Sequence, residues 1–329
     1  MKLWLAIVLL TLPVLTLGQD EPAEQGEVVE AVNNTEVEEA PITWVDDSHA
    51  YATNKTQALT QWMDNFFGDP VNDLEQAESF LRLQLIDDWE QEDGHDFKVR
   101  LRGKVQLPKV SKRLNLVFSG EENEGLDEEE AKQEDTVSLQ YNVTDGETSR
   151  FDLTVGWASS NVRPGVRYRN EGAMGDTSSY RFLERLQWED GEGIFSTTQL
   201  DLYRALDNND LIRWSNRIKY GEDTDGIEWR SKLSLSQRYL MDTKRPIATN
   251  AFLAINGVTQ DDKFTKNYKM GFLFRRQIYR DFLFIELEPA INYRRREFED
   301  ERDIVWGLVV RLEIALEKDL RRIRKSDSE

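Results

Sequence analysis

Cysteine is absent from the 329-residue chain. That removes disulfides, thiolate metal centres and cysteine nucleophiles together. Histidine is nearly absent: only His49 and His95 occur, and two such distant residues have no metal-ligand spacing. No apolar run approaching about 18 residues follows the first seventeen positions, so no membrane-spanning helix is expected there. Gly-rich phosphate loops and the G-x-S-x-G nucleophile motif are missing. Basic charge is in short supply, with a formal net charge of −20. Nucleic acid and anionic membrane surfaces are therefore poor partners for the molecule as a whole.

What is present begins with Met1-Lys2, the apolar run Leu3–Leu17 and Gly18. This reads as a cleaved secretion signal over residues 1–18, with Thr16 and Gly18 as small residues near the cleavage point. No cysteine follows it, which excludes a lipoprotein anchor. Gln19–Asp47 carries acids and neither Lys nor Arg. Such a stretch cannot bury enough surface to fold, so residues 19–53 are expected to form a disordered acidic tail. In the next segment, 54–78, Leu59, Trp62, Met63, Phe66 and Phe67 recur at helical spacing before Gly68-Asp69-Pro70. That helix could pack on the end of a larger domain, plug its interior or lie on a membrane surface.

From Ser79 the period becomes two. The segment Asp303–Leu316 is the clearest case, with Trp306, Leu308, Val310, Leu312, Ile314 and Leu316 on one face. Its length suits a tilted strand crossing a bilayer, roughly 9–11 residues. The pattern predicts about fourteen strands (12–14), near 79–89, 96–107, 113–121, 136–143, 150–158, 162–170, 178–189, 193–206, 211–221, 226–240, 247–258, 267–278, 281–297 and 302–317. No helical period interrupts them, so the connections are hairpins. The expected fold is all-β: an antiparallel up-and-down transmembrane β-barrel over residues 79–318, followed by a polar tail at 319–329. A soluble periplasmic β-sandwich is the alternative, since its strands also alternate. The long strands and the Trp and Tyr residues near strand ends favour the barrel, as does the outer-membrane location that goes with it.

Arg275-Arg276-Gln277-Ile278-Tyr279-Arg280-Asp281-Phe282-Leu283-Phe284-Ile285-Glu286-Leu287-Glu288-Pro289 is a basic strand end, a tight turn and a strand carrying Glu and Pro. With the signal and the strand run, it resembles a family of uncharacterised proteobacterial outer-membrane β-barrel proteins. The resemblance implies location and fold and carries over no catalytic residue.

Chemistry is expected on the inward face. The residues alternate to the apolar ones include Lys98, Arg100, Arg102, Lys104, Arg181, Arg185, Arg213, Arg217, Arg230, Lys232, Arg294 and Arg311. Inward acids are fewer: Asp152, Asp201, Glu228, Glu286, Glu288 and Glu313. Rings of Arg and Lys favour anions in an aqueous lumen, whereas Arg–Glu ladders simply stiffen a wall. His95 stands in an acidic loop and could act as a base, but no nucleophile accompanies it, so no enzyme is expected. The acidic stretch Glu121–Asp135 lacks EF-hand spacing. The sequence thus points to a passive, anion-preferring channel or a structural barrel, without cofactor or metal. Its partners would be the outer-membrane bilayer and a small anionic solute. A scaffold recruiting a periplasmic protein through the N-terminal segment is the alternative.

Overall fold

The computed structural model describes residues 58–64, 66–67, 80–107, 111, 113–118, 137–146, 148–158, 161–222, 224, 226–241, 245–259, 264–279, 282–295, 298 and 300–316. The signal, the acidic tail, the acidic stretch Glu121–Asp135 and the C-terminal tail lie outside these residues.

Period-two alternation becomes fourteen strands: β1 (Phe80–Glu90), β2 (Gly94–Gln106), β3 (Leu114–Phe118), β4 (Val137–Asp145), β5 (Ser149–Ala158), β6 (Asn161–Ala173), β7 (Ser178–Glu189), β8 (Gly193–Ala205), β9 (Asp210–Gly221), β10 (Ile227–Tyr239), β11 (Ile247–Val258), β12 (Phe264–Gln277), β13 (Leu283–Arg294) and β14 (Asp303–Ala315). Each pairs antiparallel with its neighbours in sequence, and β14 closes onto β1 with Leu83 opposite Ile314 and Leu85 opposite Leu312. The sheet closes on itself, which removes the sandwich alternative and suits a membrane, where an open sheet edge is not tolerated.

Closure sorts the side chains. On β2, Phe97 and Val99 are 74% and 67% exposed, while Arg102 and Lys104 are buried. On β14, Trp306 faces out and Val305 and Glu313 face in. An apolar exterior with a polar interior is the arrangement a bilayer demands, so the fold is a transmembrane barrel of the outer-membrane type. The ladder shifts register between Asn142 and Thr144 and between Asn256 and Gly257, where a bulge absorbs an extra residue.

Among the described residues the larger apolar cluster lies at the mouth where β1 begins and β14 ends. Residues 58–64 and 66–67 are helical. Leu59, Trp62, Met63 and Phe66 from that segment pack with Tyr203 of β8, Leu211 of β9, Ala248 of β11, Phe284 of β13 and Ala315 of β14. In a ring of fourteen strands, β8 and β14 lie almost opposite each other. A single helix touching both stands across the lumen.

Candidate functional site

The lumen wall is built by the alternate positions of all fourteen strands. Near the helix its chemistry is a continuous ionic network. Glu313 of β14 accepts from Arg82 of β1 at 3.1 Å and from Gln84 at 2.6 Å, and it also pairs with Arg275 of β12. Arg275 and Arg311 both pair with Glu286 of β13. Arg82, Arg275 and Glu313 are fully enclosed. Burying so many charges is tolerable only because each carboxylate meets two cations in hydrogen-bonding geometry. The Arg275 guanidinium also lies 4.4 Å from the Phe284 ring and 5.7 Å from the Phe66 ring, which ties the network to the helix.

A second network runs along β5 to β9. Asp152 accepts from Arg150 at 3.0 Å and from Arg167 at 3.1 Å. Asp201 accepts from Arg213 at 3.0 Å. Arg163 pairs with Glu189 at 2.7 Å. Arg181 reaches the Tyr203 hydroxyl at 2.9 Å and Asp64 of the helix at 3.4 Å. Trp62 stacks on Phe66 at 4.7 Å and lies 5.1 Å from the Arg238 guanidinium.

The expected lining residues all fall on the less exposed side of their strands. Arg102, Lys104, Arg181 and Arg185 are buried; Arg100, Arg217, Arg230 and Lys232 are half-buried. Lys98 pairs with Asp96 at 2.7 Å at the far rim. Arg213 and Arg311 join the networks above. Arg294 pairs with Glu90 of β1 and with Glu92 at 3.2 Å. Lys232 sits 4.7 Å from the Phe252 ring.

Alternation alone did not reveal which inward cations face each other. Four pairs of arginines stand directly opposite across adjacent strands: Arg82 and Arg102, Arg150 and Arg169, Arg167 and Arg185, Arg217 and Arg230. Like charges in this position repel unless an acid or a counter-ion offsets them. Acids are unevenly placed. Asp152, Asp201, Glu286 and Glu313 serve β5 to β9 and β12 to β1, whereas β2 presents Lys98, Arg100, Arg102 and Lys104 with Asp96 as its only inward acid.

His95 lies outside the lumen. Its Nδ1 meets Asp87 Oδ1 at 2.9 Å and its ring stacks on Phe97 at the outer rim. Among the described residues no cluster of His, Asp and Glu could hold a metal ion.

No family model matches the chain, and no curated protein does. Solved barrels resemble it in architecture. The KdgM porin is similar over 71% of this chain and 99% of its own, at 7% identity and TM-score 0.36. A bacterial polysaccharide outer membrane secretin covers 73% and 99%, at 9% identity and TM-score 0.47. OccK10 (OpdN) of Pseudomonas aeruginosa covers 73% and 98%, at 8% identity and TM-score 0.44. At these values the likeness concerns the barrel fold.

Proposed function

We propose that the protein is a passive outer-membrane channel whose lumen prefers small anions, with the helical segment of residues 58–64 and 66–67 as a plug that lowers its conductance. The observation that carries this reading is the surplus of inward cations over inward acids along the described strands, with four arginine pairs set face to face on the inner wall. Acids meet several of these arginines, yet inward cations outnumber inward acids along the described strands, and a wall of that sign favours anions. The cation-rich face of β2 adds to it, and a narrow lumen weakens the screening that salt provides over about 8 Å in bulk. On this reading residues 1–18 are a cleaved export signal and residues 19–53 an acidic tail on the periplasmic side. No catalytic residue is assigned.

Planar-bilayer recording under a salt gradient tests it. The reversal potential should report anion preference, and changing Lys98, Arg100, Arg102 and Lys104 to Glu should move it toward cations. Removing residues 19–67 should raise the conductance. A folded protein that conducts in neither form would end the channel reading.

A further inference from the structure

The lipid-facing side of the barrel is not uniform. On β13 and β14 the outward positions at mid-span are Leu287, Pro289, Ile291, Leu308 and Val310. On β7 to β10 the same belt is polar. Glu184 is the seventh residue of the twelve in β7 and alternates with the buried Leu183 and Arg185, so it points outward at mid-span. Both its oxygens accept, from Ser196 Oγ at 2.5 Å and from Thr198 Oγ1 at 2.5 Å, on the outward positions of β8. Beside it, Trp214 Nε1 donates to Ser231 Oγ at 2.9 Å, and Ser231 is 2.9 Å from Asn216 Oδ1. An indole N–H can only donate, so the Ser231 hydroxyl donates onward to Asn216. That leaves the Asn216 amide N–H groups without an acceptor among the described residues.

An ionisable group and an unspent amide facing hydrocarbon at mid-depth are unfavourable unless they meet something polar. Lipid tails offer nothing. A membrane-embedded protein surface does.

We infer that the outward face of β7 to β10 is a two-fold interface with a second copy of this chain, in which Glu184 of each copy accepts from Asn216 of its partner. The patch is self-complementary in the way a two-fold axis requires. Glu184 is opposite Thr198, Thr198 is opposite Ile218, and Asn216 is one outward position further toward the end of the barrel that holds the helix. The row of paired residues climbs toward the other end as strand number rises. At a tilt of about 40° and a spacing of about 4.8 Å, two strands of climb are nearly cancelled by two residues of descent. Glu184 and Asn216 therefore share one level, roughly 12 Å apart around the wall, with Leu200 of β8 between them. An axis through Leu200 brings each carboxylate of one copy to the amide of the other. A carboxylate has about four acceptor sites, so the two hydroxyls already bound leave room for the amide. The inference stands apart from any channel activity.

The absence of native cysteine makes the test direct. Leu200→Cys lies at the axis, and Leu253→Cys on β11 is an equally outward control. On oxidation in outer membranes, Leu200→Cys should give a reducible product of twice the chain mass, and Leu253→Cys should not. Adding Glu184→Leu or Asn216→Leu to Leu200→Cys should cut the yield several-fold, while Glu184→Gln should retain most of it. Heat-modifiable migration identifies which variants are folded. Leu200→Cys remaining monomeric, both cysteines cross-linking equally, or a product of some other mass would each overturn the second-copy assignment.

Discussion

Asp64 of the helical segment and Arg181 of β7 meet at 3.4 Å, both almost fully enclosed. This ion pair and the Trp62–Phe66 stack, with Phe66 edge-on to Phe284, fasten the helix inside the mouth from opposite walls. Trp62→Ala with Asp64→Ala should free the helix. Removing a buried Trp alone forfeits about 3–5 kcal/mol of packing. Mean single-channel conductance should rise, while the heat resistance of the barrel stays close to that of the parent. Unchanged conductance in the folded double variant would mean that the helix does not obstruct the path.

Glu313 supplies a second test, this time of the wall. It is the acid shared by Arg82 and Arg275, and all three are fully enclosed. Glu313→Gln takes from Arg82 and Arg275 the acid they share, leaving Glu286 on Arg275, and breaking a buried pair typically costs about 3–5 kcal/mol. Urea unfolding followed by tryptophan fluorescence should show the loss. Arg275→Met added to Glu313→Gln should recover part of it, because it removes one buried cation from a network that has lost an acid, while Glu286 keeps Arg311. Equal stability of parent and single variant would show that the network does not hold β14 to β1.

The fold was legible because a closed barrel writes its period into every strand. Asp303–Leu316 alternates without a break, and the strand there runs Asp303–Ala315. Errors gather where the alternation is interrupted. The expected 162–170 is Asn161–Ala173, since Gly172 weakens the end of β6. The expected 267–278 begins at Phe264, opposite the register shift at Asn256 and Gly257. The inward arginines were readable one strand at a time. Their partners were not, because Arg275 finds Glu313 two strands away and Arg181 finds Asp64 117 residues away. The helical spacing of Leu59, Trp62 and Phe66 announced a helix but could not say what it packs on. Glu184 was implied by the inward assignment of Arg181 and Arg185, yet its outward position gains meaning only beside Ser196 and Thr198.

Gly103 marks a close approach between β1 and β2. A Cβ there would lie 2.5 Å from the Phe80 carbonyl oxygen and 2.9 Å from Leu81 Cα. Both atoms are backbone, so neither can turn aside. Gly103→Ala should push the strands apart at the helix end of the barrel and lower stability by about 1–3 kcal/mol, the usual range for overpacking. The check is the urea midpoint, with Gly94→Ala as comparison: Gly94 has open space around it but φ +80°, so its effect is one of backbone strain alone. A Gly103→Ala midpoint equal to that of the parent would show that the ladder adjusts freely.

The rim opposite the helix should respond to pH through Glu192, in the turn between β7 and β8. Partial burial and the neighbouring Glu189 carboxylate push the Glu192 carboxyl above its ordinary value of 4.5. The sign follows from proton counting. Between 4.5 and the raised value the folded protein holds a proton that the unfolded chain has released, so folding takes up protons in that window. Stability from this group therefore rises as pH falls through the window and declines as pH rises out of it. Glu192→Gln removes the titration. The variant should match the parent near pH 4.5 and exceed it slightly at pH 7.5, with the difference read by hydrogen exchange of the amides in the β7–β8 hairpin. The effect is small, because the side chain is only half-buried and screening solvent reaches it. A parent hairpin whose protection increases from pH 4.5 to 7.5 relative to the variant would reverse the sign, and would place Glu192 under the control of Arg163 and Lys219 rather than of burial and Glu189.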